Sequence, residues 1–243
     1  MKTLIKTTLR KLGYEVKKMP RLSSASQLPD ASFYAPLFSP WLGYGPFKRV
    51  WELARPHTLV SADRCYVLYT LATQALSVRG DFWECGVYKG GTALLLAEVL
   101  ATGGASSSRL HLFDTFEGMP ETDPTRDLHR RGEFADTSLA AVRQRVGGAD
   151  RVVYHQGVIP KTFQGLDEAT IAFAHVDVDL YRSVLDCCAF IVPRLTPGGF
   201  LVFDDYGFPS CPGARRAVDE FFRDRPERPL VLPTGQAVVF ARG

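Results

Sequence analysis

The sequence predicts an α/β fold: a doubly wound, Rossmann-like sheet, mostly parallel with an antiparallel last strand, behind an N-terminal helical and aromatic lid. Three observations predict it. From Asp81 onward, short apolar runs rich in β-branched and aromatic residues alternate with helix-length segments, the pattern that right-handed βαβ crossovers impose on a parallel sheet. Several of those runs end in a carboxylate or a glycine, as strands do where they present residues to a ligand beyond their carboxyl ends. The C-terminal PLVLPTGQAVVFAR reads instead as two strands joined by a tight turn at Thr234-Gly235, closing one edge antiparallel.

Taken in order, residues 1–80 form the expected preface and residues 81–243 the expected core. KTLIKTTLRKL places Leu4, Ile5, Leu9 and Leu12 on one side of a helix and its basic residues mainly elsewhere, until Gly13 breaks it. Such a helix either covers its own domain or docks on an anionic membrane surface or a partner protein. From Pro20 to Pro56 proline, serine and glycine mix with Phe33, Tyr34, Phe38, Trp41, Tyr44 and Phe47. Flexible linkers rarely carry so many rings, so this reads as an irregular arm or lid over a binding site, able also to pack on a second subunit. Ser61 then caps a helix through ADRCYVLYTLATQALSV. The expected strands are FWECG, RLHLFDTF, RVVYHQG, IAFAHVDVD and GFLVFDDYG. Between them lie helices at TALLLAEVLAT, SLAAVRQRVGG and YRSVLDCCAFIVPRL, and a short turn at KTFQGL.

Composition narrows the function classes. At 243 residues, 46% hydrophobic and 23% charged, the chain can bury a sizeable core and falls outside the disordered class. Residues 1–21 hold seven basic side chains against Glu15 alone, so the rest of the chain is net acidic despite the overall charge of +3. That argues against a nucleic-acid-binding face on the core. Five cysteines without a CxxC pair point to a reduced compartment. No apolar run reaches the roughly 18 residues of a membrane span, and no signal-peptide core is visible. The expected location is the cytoplasm, at the inner membrane surface if the leader docks on lipid.

The turn after the first strand, Glu84-Cys85-Gly86-Val87-Tyr88-Lys89-Gly90-Gly91-Thr92, is G-x-x-x-G-G. Dinucleotide folds use G-x-G-x-x-G, and a phosphate loop needs G-K-[ST]. Neither is present, and a strand-end carboxylate at Glu84 would repel a pyrophosphate and welcome an ammonium. S-adenosyl-L-methionine, with an amino group and no phosphate, suits the turn better than NAD. Asp114, ending the next strand, is placed to accept both ribose hydroxyls of an adenosine.

A denser constellation follows. AHVDVDLYRS sets Asp177 and Asp179 at the end of the fourth strand, and LVFDDYG sets Asp204 and Asp205 at the end of the fifth. Neighbouring strands are about 4.8 Å apart, so Asp177, Asp204 and Asp205 can converge. Crowded carboxylates call for a cation or a shared proton, and all-oxygen ligation points to a hard ion, Mg²⁺ above all. Helix capping by Asp179 and turn capping by Asp205 is the plain alternative, which leaves two carboxylates unexplained. Scattered histidines and cysteines without ligand spacing argue against zinc. A Mg²⁺ beside a methyl donor would orient vicinal hydroxyls and acidify one of them, leaving Asp179 as general base.

These motifs resemble the macrocin O-methyltransferase family, class I enzymes that methylate sugar hydroxyls. The matching pieces are HTLVSADR, FWECGVYKGGTA, LFDTFEGMPET, HVDVDLYRS, TPGGFLVFDDYG and PGARRAVDEFF, covering most of the chain from about Arg55 to Phe222. The resemblance implies metal ligands at Asp177, Asp204 and Asp205, the base at Asp179, and Mg²⁺ dependence. It implies cofactor contacts at Glu84, Gly86, Lys89, Gly90, Gly91, Thr92 and Asp114, with Thr58 and Ser61 added from the lid. The implied acceptor is a glycosylated small molecule, a glycolipid or a polysaccharide. A catechol or other aromatic diol would satisfy the same cation, and a non-catalytic scaffold of the same fold is the reading from another class.

Overall fold

The computed structural model describes residues 38–103, 107–148 and 150–242. The leader expected over residues 1–21, with its membrane or partner contact, and the arm up to residue 37 lie outside the described residues. Every element below belongs to the unit Pro40–Gly243. In order these are α1 (Phe47–Ala54), α2 (Ala62–Ala75), β1 (Asp81–Cys85), α3 (Gly91–Thr102), β2 (Leu110–Asp114), α4 (Leu139–Val146) and β3 (Val152–Gln156). Then come β4 (Ile171–Val176), α5 (Tyr181–Ile191), β5 (Leu195–Phe203), α6 (Pro212–Phe222), β6 (Leu230–Val231) and β7 (Ala237–Phe240).

The seven strands form one sheet in the order β3-β2-β1-β4-β5-β7-β6. Strands β1 to β5 run parallel, and β7 is antiparallel to both neighbours. Chain order reverses between β1 and β4, which places the ligand crevice of a doubly wound sheet beyond their carboxyl ends. The period-2 alternation of the strands sorts the core into two layers. Phe82, Leu112 and Val202 pack with α1, α2 and α3, whereas Trp83, Phe113 and Leu201 pack with α5 and α6.

Two helices were not apparent in the sequence. The described end of the aromatic arm contains α1, where Phe47, Val50 and Ala54 are buried at helical spacing. Pro46 and Pro56 bracket this segment and disguise its period. Its rings do pack, Phe47 lying 5.1 Å from Tyr66 and 5.5 Å from Tyr69 on α2. Helix α6 starts on Pro212, a residue suited to a first turn, and buries Ala214, Ala217, Val218 and Phe222. Ser61 does precede α2, but its hydroxyl makes no cap. It donates to Asp63 Oδ1 at 2.5 Å and accepts from Arg64 Nε at 3.1 Å.

Gly86 shows how tightly β1 and β4 close. Its φ is 86°, and an added Cβ would lie 1.8 Å from the Asp177 carbonyl oxygen. Gly86→Ala is therefore expected to lower unfolding free energy by at least about 2 kcal/mol, read as a shift in the urea midpoint; an unchanged midpoint would refute this account of the glycine. All five cysteines are buried thiols. No helix among the described residues is long and apolar enough to cross a membrane.

Candidate functional site

A cavity of about 300 Å³ opens beyond the carboxyl ends of β1, β2, β4 and β5, a volume at the lower end for small-molecule sites. One wall carries Gly86, Thr92 and Asp114, another carries Asp177, Asp179, Asp204 and Asp205, and Thr58 comes from the segment before α2. The remaining candidates, Ser61, Glu84, Lys89, Gly90 and Gly91, stand behind that surface.

Asp114 holds the glycine turn together. Its Oδ2 accepts the N–H groups of Val87 at 2.7 Å and Tyr88 at 3.0 Å, and its Oδ1 accepts that of Phe116 at 2.6 Å. A carboxylate has about four acceptor positions, so the bonds leave little of it free for further donors. Gly91 opens α3 and lets the lid approach: an added Cβ would lie 2.7 Å from the His57 carbonyl and from Thr58 Cβ. Thr58 Oγ1 in turn accepts the Val60 N–H at 3.0 Å. Lys89 points away to Asp136 at 2.5 Å, while its carbonyl accepts from Arg145; Gly90 is the last residue before the helix.

Beneath the cavity a fully buried polar ladder crosses four adjacent strands. Glu84 and His175 are register partners on β1 and β4, joined Oε1 to Nδ1 at 2.9 Å. His175 Nε2 lies 3.6 Å from Asp204 Oδ1, which also accepts from Gln236 at 2.9 Å. Arg64, on α2, reaches Asp204 Oδ2 and continues to the Leu59 carbonyl and the face of Phe208. Burial opposes a charged His175, but the neighbouring carboxylates of Asp204 and Glu84 outweigh it and push its pKa up to about 10. Burial likewise opposes a charged Asp204, yet His175, Arg64 and Gln236 hold it below the usual carboxylate range.

The other carboxylates lack such compensation. Burial first, then the charge of Asp204, raises Asp177 well above its ordinary value. Burial followed by Asp179, Asp177 and Asp204 does the same to Asp205. Asp179 is raised mainly by burial, with Cys211 and His129 pulling the other way. Its φ of 57° is uncommon outside glycine and turns it into the cavity. Asp179 does not cap the helix that follows it: α5 begins after Leu180, and the Tyr181 N–H goes to Asp127 at 2.8 Å. Asp205 Oδ2 accepts the Asp179 N–H at 3.0 Å, so the two strand ends brace each other.

Ligand-capable atoms of His175, Asp177 and Asp204 lie within 4.8 Å of one another, and so do those of His129, Asp179 and Cys211. The second set, like Arg64 and Gln236, was not legible as a site. His129 arrives on the loop after β2, whose Phe134 stands edge-on to Tyr88 at 5.6 Å. Tyr88 also bonds Asp136 at 2.7 Å. The loop rich in charge that follows LFDTFEGMP is thus tied down at the glycine turn, at α5 and beside Asp179.

Residues 53–237 match the family described as Macrocin-O-methyltransferase (TylF). A tetracenomycin-C rhamnosyl 4'-O-methyltransferase of Streptomyces olivaceus is 33% identical over 178 residues, 68% of this chain and 67% of that one. The mycinamicin III 3''-O-methyltransferase of Micromonospora griseorubida is 31% identical over 184 residues, 70% of this chain and 71% of that one. The solved structure of the O-methyltransferase NovP superposes with a TM-score of 0.69 at 25% identity, over 77% of this chain and 83% of that chain. Calicheamicin methyltransferase CalS11 shares the fold, with a TM-score of 0.60 at 21% identity over 80% of this chain and 90% of its own. With a family match spanning both walls of the cavity, this chain belongs to the macrocin O-methyltransferase family and is an O-methyltransferase.

Proposed function

We propose that the protein transfers a methyl group from S-adenosyl-L-methionine to a sugar hydroxyl of a glycosylated small molecule, with a hard dication at the carboxylate wall. The observation that carries this reading is the facing of two unlike surfaces across one cavity: a glycine turn clamped by Asp114, and four crowded aspartates. The relatives support this reading, since the two named above are O-methyltransferases of a rhamnosyl-tetracenomycin C and of mycinamicin III. Apolar Leu59 and Val158, both on the cavity wall and exposed, suit the apolar carrier of such a sugar.

The carboxylates fit a hard cation by the chemistry of their donors. Asp177, Asp204 and Asp205 offer oxygen only, and Asp177 and Asp205 are driven toward protonation by burial and then by neighbouring carboxylates, Asp204 acting on Asp177 and Asp179 on Asp205. When bound there, Mg²⁺ would offset that repulsion and lower the pKa of a sugar hydroxyl. Asp179 takes the proton of the attacking hydroxyl, at the end of β4 where its backbone is held by Asp205. Thr58, Gly86, Thr92 and Asp114 shape the donor pocket, and Ser61, Lys89, Gly90 and Gly91 set the turn and lid behind it. Glu84 acts from under the floor: Oε2 has no partner among the described residues, and its charge favours the donor's ammonium. Positioning then accounts for much of the rate, because sulfonium, methyl and oxygen must lie in line.

Calorimetry tests the donor: S-adenosyl-L-methionine should bind and NAD should not, and the reverse result ends the proposal. Transfer of labelled methyl to a panel of glycosides tests the acceptor, with Asp179→Asn expected to slow it by about a hundredfold or more. Labelling of catechols with none of glycosides would move the function to aromatic diols.

A further inference from the structure

We propose that His129, Asp179 and Cys211 form a second metal site at the cavity wall, suited to a zinc-class dication and distinct from the oxygen ligands Asp177, Asp204 and Asp205. Three atoms define it. Cys211 Sγ lies 3.1 Å from Asp179 Oδ1 and 3.6 Å from His129 Nε2, and the third edge, His129 Nε2 to Asp179 Oδ1, is 3.7 Å. A tetrahedral zinc with roughly 2.0–2.3 Å bonds holds its ligand atoms about 3.3–3.7 Å apart. The triangle therefore already has nearly the edges of one tetrahedral face, with sulfur, nitrogen and oxygen at its corners.

A second observation is independent of that triangle. His129 Nδ1 lies 2.6 Å from Glu133 Oε2, so the ring's outer nitrogen donates to a carboxylate and leaves Nε2 as the free lone pair. That is the carboxylate–histidine arrangement that orients metal-bound imidazoles. All three ligands line the cavity, which gives the ion an entry path and an open fourth position. The ligands come from the loop after β2, the end of β4 and the residue before α6, so the site exists only in the folded chain.

Burial, then Asp205 and Asp179, pushes the Cys211 thiol up, and its S–H donates to Asp179 in the absence of metal. Binding forms a metal–sulfur bond, breaks that S–H bond and releases one proton to solvent. The metal keeps its charge, so nothing is oxidised or reduced. Soft and borderline ions prefer the thiolate and imidazole, while Mg²⁺ prefers the oxygen set. Zinc would also engage Asp179 Oδ1 and stop it accepting a proton, a consequence that rests on the proposed role of Asp179 as base.

The test uses the full chain, stripped with EDTA and titrated with Co²⁺. With Mg²⁺ in excess to fill the oxygen ligands, one cobalt per chain should bind with a thiolate-to-cobalt charge-transfer band and be displaced by one equivalent of Zn²⁺. Cys211→Ser should abolish the band, and Glu133→Gln should keep it while weakening zinc by about 10–100-fold. Cobalt binding without the band, or zinc affinity unchanged in Cys211→Ser, would overturn the site. With Mg²⁺ in excess, one equivalent of zinc should stop turnover of the unmutated protein. If the band forms and turnover persists, the metal site stands and Asp179 is not the base.

Discussion

Asp177→Asn is expected to lower turnover by about a thousandfold or more and, in the metal-free protein, to raise thermal stability. Both effects follow from one arrangement. Asp177 sits among Asp179, Asp204 and Asp205 on the cavity wall, with burial and the Asp204 charge raising its pKa well above 3.8. Losing an anionic ligand of the proposed dication removes several kcal/mol of transition-state stabilisation, and each 1.36 kcal/mol is about a factor of ten in rate. Without metal the same carboxylate is a liability, and a neutral amide relieves it. A gain of about 1 kcal/mol corresponds to roughly 2–4 °C in a chain of this size. The sign follows from linkage: a carboxyl whose folded pKa is raised disfavours folding increasingly as pH rises above its unfolded value. The gain should therefore be present at neutral pH and vanish below about pH 4. Mg²⁺ should raise the melting temperature of the unmutated protein and leave Asp177→Asn almost unmoved. Turnover within tenfold of the original would remove Asp177 from the mechanism, and a lower melting temperature would refute the crowding.

Why the aspartates were legible in the sequence and their partners were not is a matter of chain separation. Strands β1 to β5 announce themselves by apolar runs that stop at a charge, and the stop is where a parallel sheet meets its ligand. Asp114, Asp177 and Asp204 are each the residue at or just after such a stop. The antiparallel hairpin of β6 and β7 was readable for a similar reason, a turn pair between two apolar runs. Arg64 is another matter: it meets Asp204 across 140 residues, and nothing in ADRCYVLY marks one arginine of a lid helix as bound inward. His129 and Cys211 are 82 residues apart, so a search for ligand spacing passes over them. His175 did leave a trace. It stands two residues before Asp177 and so on the same face of its strand, in a run otherwise apolar, which is where a buried ionisable partner for a strand-end carboxylate would have to be. The glycines carry a second duty that their spacing does not show: Gly86 makes room for β4 and Gly91 for the lid.

His175→Gln is expected to destabilise the fold by about 3–5 kcal/mol, the range for removing one partner of a buried charge network. Glu84, His175 and Asp204 are all fully buried, so the substitution strands Glu84 and takes from Asp204 one of its two cations, Arg64 remaining, and relaxation toward solvent is blocked by the sheet below and by α2 above. Glutamine retains the size and a donor but no charge, which isolates the electrostatic part of the loss. The pH dependence gives the decisive check. Raised in the folded state from 6.5 to about 10, His175 contributes stability that is fully present below pH 6.5 and is lost as pH climbs toward 10. The deficit of the variant should therefore narrow over that interval, measured as urea midpoints at several pH values. Adding Glu84→Gln should recover part of the loss by removing one stranded charge, because neighbours in one network do not act additively. A deficit independent of pH, or a double variant no better than the single, would mean that packing rather than charge holds β1 to β4. If the expected pattern appears, the switch point of the sheet is held by an ion network that also fixes Asp204, and through it one side of the carboxylate wall. Fold stability and the geometry of the site would then depend on the same imidazolium.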